Sequence, residues 1–171
     1  DDKELIRYIQ KSLGYCLSGS TAEQCVFFLY GNGRNGKSTF LEIIRAILGE
    51  YATNIQPESI MVKNSSNSAN TDIARLKGAR LVTSVEPNEG MRLNEGLIKQ
   101  LTGDDMVTAR KLYGDEFEYR PEFKLWLATN HKPTIRGTDL GIWRRIHIIP
   151  FTHSIPEDKV DKNLGEKLRE E

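Results

Sequence analysis

The residues best suited to chemistry are Gly31-Asn-Gly-Arg-Asn-Gly36-Lys37-Ser38, followed by Thr39. They match G-x-x-x-x-G-K-[ST], and both flanks are the ones this pattern needs. Before it runs Cys25-Val-Phe-Phe-Leu-Tyr30, an apolar stretch of strand length. After it come Phe40, Leu41, Ile44, Ile47 and Leu48 at helical spacing, stopped by Gly49. Glycines let backbone N–H groups converge on an anion without Cβ clashes. The N-terminal end of the following helix adds positive charge. On this reading Gly31, Asn32, Gly33, Arg34, Asn35, Gly36, Lys37, Ser38 and Thr39 hold a nucleotide. Lys37 reaches the β- and γ-phosphates of ATP, and Ser38 ligates Mg²⁺. The motif is silent on how the energy is used.

Hydrolysis also needs an acid near the metal. Arg80-Leu-Val-Thr-Ser-Val-Glu86 supplies one as a strand ending in Glu86, placed to hold Mg²⁺ and polarise the attacking water. Glu89 is a second, weaker candidate. Leu125-Trp-Leu-Ala-Thr-Asn130 is a further strand ending in an amide that can orient that water or sense the γ-phosphate. Asn is also a common turn former there. Trp143-Arg144-Arg145-Ile146 puts adjacent arginines at a helix-to-strand junction, either as surface charges or as a finger offered to a neighbouring subunit's nucleotide.

Several elements must position these groups. Leu5, Ile6, Ile9, Leu13 and Leu17 predict an amphipathic helix over 3–17. Gly19 and Ser20 end it, and Thr21 is placed to cap a turn before Cys25. Continuous rather than alternating apolarity predicts a buried strand at 25–30, as in a parallel α/β sheet, and 79–85, 123–129 and 145–149 read as further buried strands. Ile73, Ala74 and Leu76 predict a short helix ending at Gly78, and 94–101 a second ending at Gly103. Residues 107–112 and 116–119 read as a hairpin around Tyr113-Gly114-Asp115. Residues 63–70 read as a polar surface loop, and the tail from Pro156 as a charged helix. Trp126 reads as core, and Trp143 as a residue that can pack the finger helix.

The chain has 171 residues, enough for one domain with its own core. Its 24 basic and 24 acidic side chains balance. That excludes a general basic coat, so nucleic acid would need a local patch, multiplied in an oligomer. The apolar runs are too short for a membrane-spanning helix. Asp1 in place of methionine points to a piece of a longer protein. Cys16 and Cys25 cannot form a zinc site or a disulfide framework and read as small buried apolar residues; a reducing cytoplasm is the expected setting. His131, His147 and His153 lack ligand spacing and read as structural or surface residues.

The order of the motifs resembles the helicase domain of phage and plasmid primase-helicases, in helicase superfamily 3. The resemblance runs through Gly31–Thr39, Leu76-Lys-Gly-Ala-Arg80 leading to Glu86, and Ile98-Lys99-Gln-Leu-Thr-Gly103-Asp104 with Ala109-Arg110. It continues through Pro121 to Asn130, Gly141-Ile-Trp-Arg-Arg-Ile146 and Ile149-Pro-Phe151. It covers about residues 10–152. It implies an AAA+-like P-loop NTPase: a central, mostly parallel sheet flanked by helices, with a β-hairpin before the sensor-1 strand. Gly36, Lys37, Ser38 and Thr39 fall on Walker A and Glu86 on the Walker B acid. Lys99, Gly103, Asp104 and Arg110 fall on the extra motif between Walker B and the sensor, Asn130 on sensor 1, and Arg144 or Arg145 on the finger. Many superfamily 3 motors end Walker B with two adjacent acids, whereas here Pro87 follows Glu86. In this family the hairpin points into a ring's channel and touches the strand being pulled. Arg110, Lys111 and Tyr113 suit that contact as cations for phosphate and a ring for stacking. Asp115 and Glu116 argue against a wholly basic finger. Lys99 and Arg110 can equally face a nucleotide across a subunit interface.

The expected organisation is an N-terminal helical segment over 1–24, an ATPase core over 25–152 and a tail over 153–171. The expected function is an ATP- and Mg²⁺-dependent DNA helicase motor, a hexameric ring on single-stranded or forked DNA. A primase region or partner belongs to the full-length protein, encoded by a phage, prophage or plasmid and working in a bacterial cytoplasm. One rival is a P-loop ATPase that remodels protein during replication initiation; DNA-stimulated hydrolysis separates the two. Another is an assembly module that binds nucleotide without useful turnover.

Overall fold

The computed structural model describes residues 2–62, 71–85, 92–132 and 134–170. Its centre is a five-stranded sheet of β1 (Val26–Tyr30), β2 (Ala52–Asn54), β3 (Leu81–Val85), β6 (Lys124–Thr129) and β7 (Ile146–Pro150). The spatial order is β2-β3-β6-β1-β7 and every pairing is parallel. The hairpin of β4 (Val107–Arg110) and β5 (Glu116–Tyr119) pairs only with itself, antiparallel.

The unbroken apolar runs have a physical cause. In β1, Val26 and Phe28 face one core while Phe27 and Leu29 face another; in β6, Leu125 and Leu127 part from Trp126 and Ala128 in the same way. Both faces of the central strands are therefore closed to water, which makes β1 wholly apolar but for Tyr30 at its end, while β3 and β6 also bury Thr83, Ser84, Lys124 and Thr129. One face is covered by α3 (Thr71–Ala74), α4 (Glu95–Thr102) and the hairpin. The other is covered by α1 (Lys3–Leu17) and α2 (Lys37–Leu48). Trp126 is fully buried; it stacks on Phe27 with centroids 4.5 Å apart and donates its indole N–H to Cys16 Sγ at 3.3 Å. Cutting it to alanine would cost about 3–5 kcal/mol.

Helix ends follow local chemistry. Asp2 caps α1 by accepting from the Leu5 N–H at 3.0 Å, and Asn94 caps α4 by accepting from the Leu97 N–H at 3.1 Å. Ser18 closes α1, one residue before the expected Gly19. In the turn that follows, the side chain accepting from Ala22 N–H is Ser20, not Thr21, which contributes its carbonyl to Gln24 N–H.

One expectation is corrected and one strand is added. The strand at 145–149 is not buried: β7 is a sheet edge, paired only with β1, and Ile148 is half-exposed. The short strand β2, paired with β3, has no counterpart in the sequence reading. The tail forms a turn at Glu157–Lys159 and then α6 (Leu164–Glu170). The polar loop at 63–70 and the acids Glu86 and Glu89 lie outside the described residues.

Candidate functional site

The loop between β1 and α2 leaves the sheet where β1 and β6 run side by side, Tyr30 opposite Thr129. That register sets Asn130, just past β6, beside the loop. Gly31 donates its N–H to Thr129 O at 3.3 Å. A Cβ on Gly31 would overlap the Phe151 carbonyl oxygen, so only glycine fits this approach. Gly36 turns the chain into α2 at φ +85°, in the left-handed region that glycine enters freely.

Lys37 opens α2 and is 5% exposed. Its Nζ donates to Asn35 Oδ1 and Asn130 Oδ1, both at 3.0 Å, and to Gly31 O. Asn35 donates through Nδ2 to Phe151 O at 2.7 Å, which braces the loop against the segment leaving β7. No side chain caps the N-terminus of α2 and no acid sits in its first turn. The positive pole of a 12-residue helix is thus aimed at the space the loop encloses. Ser38 is exposed and Thr39 half-buried in that first turn. Asn32, Gly33 and Arg34 form the exposed crown of the loop. These groups fit a phosphate chain: uncapped amides, a glycine cradle and a convergent amine.

Part of the site escaped the sequence reading. The segment after β7 crosses the loop: Ile155 N–H donates to Arg34 O at 2.7 Å, and Arg34 pairs with Glu157 at 3.4 Å. Beside the loop lies a cavity of about 300 Å³ walled by Arg34, Gly36, Thr39, Ile155, Val160 and Leu164. The only hint in the sequence was the few apolar residues, Ile155, Val160 and Leu164, spread through a charged tail.

The adjacent arginines part company. Arg145 is 7% exposed; its Nε donates to Thr102 Oγ1 at 3.2 Å and its guanidinium also reaches Gly141 O. It ties the end of α4 to α5 (Leu140–Trp143), and burial holds its pKa below the usual guanidinium value. Arg144 is exposed and rests on Gln24 Oε1. Leu140 and Trp143 beside it are also exposed. Lys99 pairs with Asp139 at 2.8 Å, and this bond holds the carboxyl below its ordinary range. Asp104 pairs with Arg120 at 3.0 Å, and Gly103 caps α4 through its N–H to Gln100 O. Two of the three charged members of the extra motif, Lys99 and Asp104, are thus paired within their own subunit.

On the hairpin, Tyr113 is 97% exposed at the tip and Lys111 is exposed. Arg110 is exposed too, but its Nε donates to Gly114 O at 2.9 Å and braces the turn. Cys16 and Cys25 are buried, and desolvation pushes both thiols up to about 11, which leaves them unreactive near neutral pH. Among the described residues no cluster of His, Cys, Asp and Glu is arranged to hold a metal ion. Among them, too, no helix is long and apolar enough to cross a membrane.

Known proteins share this chain's sequence and shape. "Putative helicase L207/L206" of Acanthamoeba polyphaga mimivirus is 38% identical over 151 residues, 88% of this chain and 16% of the relative. "Putative helicase 022R" of Frog virus 3 (isolate Goorha) is 32% identical over 155 residues, again 88% of this chain and 16% of the relative. "Primase D5" of Fowlpox virus (strain NVSL) is 29% identical over 159 residues, 90% of this chain and 19% of the relative. The chain therefore spans less than a fifth of each. The A form apo structure of the NrS-1 C-terminal region has the same fold, with a TM-score of 0.65 at 16% identity, over 86% of this chain and 34% of that one. A family model covers residues 29–145, from the last residues of β1 to Arg145. The chain belongs to that family, DUF5906, a family of unknown function.

Proposed function

We propose that this chain is the ATP-driven motor of a replicative DNA helicase, of the superfamily 3 type with an AAA+-like core, working as a ring. The observation that carries the reading is the buried Lys37 amine 3.0 Å from Asn130 Oδ1, across the parallel pair β1–β6. A phosphate-loop lysine and a strand-end amide converge on one point where a γ-phosphate would sit. The sheet order supports it, because β6 lies between β1 and β3 and so brings Asn130 between the loop and the end of β3, after which Glu86 follows. The names of the viral relatives, helicase and primase, agree with it.

The loop amides and Lys37 hold the β- and γ-phosphates, and Asn130 orients the attacking water. Ser38 and Glu86 are the residues to hold Mg²⁺, which supplies charge neutralisation at the phosphate oxygens. Most of the rate comes from fixed positive groups around the charge that develops at transfer.

The finger is Arg144, and it acts on a neighbouring subunit. Arg144 sits level with Gln24, at the start of β1, while the loop begins at Gly31, past its end. At about 3.3 Å per residue these lie about 20 Å apart along the strand. No arginine side chain spans that gap, so Arg144 cannot reach its own subunit's phosphate site. Exposed Leu140 and Trp143 around it suit a subunit contact. Such an interface is head-to-tail and closes into a ring, six subunits in the superfamily 3 pattern. Single-stranded or forked DNA passes through the ring near Arg110, Lys111 and Tyr113, and a primase region belongs to the longer protein.

Mixing two dead subunits tests this. Lys37→Ala and Arg144→Ala rings each hydrolyse no ATP. Random co-assembly restores about a quarter of the sites, those pairing an intact loop with an intact neighbour. No recovery in mixed rings of normal size would overturn the shared site.

A further inference from the structure

The hairpin has two unlike sides. On β5, Glu116 and Glu118 point outward with Arg110 and Thr108 of β4; Glu116 lies opposite Arg110, and Glu118 accepts from Thr108 Oγ1 at 3.3 Å. The other side starts in the core with Val107, Ala109 and Tyr119, and emerges from it at Phe117 and Lys111. There it faces α3 and the turn after it. The Tyr119 hydroxyl fixes the two pieces together by donating to Ile73 O at 2.7 Å. Between them runs a groove of about 370 Å³, lined among the described residues by Ala74, Arg75, Lys77, Lys111 and Phe117.

We infer that this groove, formed by Arg75, Lys77, Lys111 and Phe117, is a binding track for single-stranded nucleic acid, with cations on the phosphates and Phe117 stacking on a base. The inference rests on the motor reading for its substrate and adds residues that neither the P-loop nor the hairpin tip contains. The composition of the groove selects the ligand. Three exposed cations line it, and no carboxylate is among its described lining residues. Asp72, the nearest acid on α3, is turned away onto Ser59 Oγ. An aromatic floor beneath cations is the arrangement that grips a strand without reading its sequence. The Phe117 ring is half-buried, and Lys77 Nζ lies 5.2 Å from its centroid. A base can take that face while the ammonium moves onto phosphate. An acidic peptide would use the cations but leave the ring without a flat partner.

The charge division also accounts for the acids near the hairpin tip. Arg110 stands opposite Glu116 on the outward side, and its Nε is held by Gly114 O, so it lies off the groove. The basic field lies on the α3 side, with Lys111 shared between groove and tip.

Anisotropy of a labelled oligo-dT with the 171-residue chain, without nucleotide and across a salt series, tests the track. Arg75→Ala with Lys77→Ala flattens the log–log salt slope by about 1.4 and weakens binding about 25-fold at 0.1 M salt, from two lost phosphate contacts. Phe117→Leu, which keeps an apolar side chain but removes the flat ring, weakens binding about 5- to 150-fold at unchanged slope, and Phe117→Tyr restores it. Arg7→Ala with Lys11→Ala, an equal charge loss on the exposed face of α1, leaves affinity and slope unchanged. Wild-type affinity and slope in both the Arg75/Lys77 and the Phe117→Leu variants would overturn the inference. So would poly-glutamate displacing the oligonucleotide equally well from wild type and from Phe117→Leu. The motor reading fails separately, if Lys37→Ala hydrolyses ATP normally.

Discussion

Two lysines are buried at opposite ends of neighbouring strands, and the helix ends they meet differ in sign. Lys124, 2% exposed, starts β6; its Nζ donates to Ser18 O at 2.5 Å and lies 4.1 Å from the centre of the Tyr15 ring. That carbonyl belongs to the C-terminal end of α1, the negative pole of a helix, so the cation completes a local charge pattern. Lys37 opens α2 at the positive pole, where no acid sits in the first turn. A cation there opposes the helix dipole. The first lysine fastens a helix to the sheet. The second breaks a local rule in a way that an anion sitting between amine and helix would reverse, and such departures cluster at functional sites.

The largest expected effect separates the two ends. On the motor reading, Lys37→Ala lowers ATP turnover about 1,000-fold, since it removes the cation nearest the developing charge. Its Tm in the absence of nucleotide moves less than that of Lys124→Met. Lys124→Met keeps the buried stem but strands the Ser18 carbonyl and removes the cation from Tyr15. It costs about 1–3 kcal/mol of stability, read by denaturant titration, while turnover per folded molecule stays close to wild type. Should the two variants exchange phenotypes, the contrast between the ends of the sheet is wrong.

The adjacent arginines give a finer version of the same contrast. Arg145→Ala empties a buried guanidinium site and leaves Thr102 Oγ1 and Gly141 O without their donor. It costs about 1.5–3 kcal/mol in urea titrations of the isolated chain. Arg144→Ala changes stability by about 0.5 kcal/mol or less, as an exposed residue should. On the motor reading it still removes hydrolysis in the ring while nucleotide binding survives.

How legible these differences were depends on the distance over which each is decided. The loop and α2 could be read because Gly36, Lys37 and Gly49 act within a turn of themselves. The central strands could be read because burial on both faces makes most of their residues apolar, with Thr83, Ser84, Lys124 and Thr129 as the buried exceptions. β2 could not, since Ala52–Asn54 is too short to show a period and exists only through its pairing with β3. β7 read as buried because Ile146, Ile148 and Ile149 are apolar, yet an edge position is a property of the sheet and not of the strand. Arg144 and Arg145 are the same residue type one position apart. Only the single turn of α5, capped by Asp139 through its bond from Ile142 N–H at 3.3 Å, decides which of them faces inward. The strap over the β1–α2 loop and the basic groove under the hairpin both join segments far apart in sequence, where no local pattern operates.

The smallest effect probes the anchoring of α1, the helix that Lys124 holds, at the far side of the sheet. Tyr8 Oη lies 2.6 Å from His147 Nδ1, joining α1 to the edge strand β7. Burial holds the His147 pKa below its ordinary 6.5, with Glu23 opposing weakly. The folded form therefore prefers the neutral ring, whose Nδ1 accepts from the tyrosine. Between the lowered pKa and 6.5 the unfolded chain binds more protons, so stability rises with pH there and is lost as pH falls below about 6.5. His147→Gln removes this contribution. The difference in Tm between wild type and variant should shrink from about pH 7.5 to pH 5, by an amount on the order of 1 °C because the site is partly open to solvent. A difference that instead grew toward acid pH would mean that the charged ring is the form the fold prefers, held by Glu23 across the turn and not by Tyr8 on the helix.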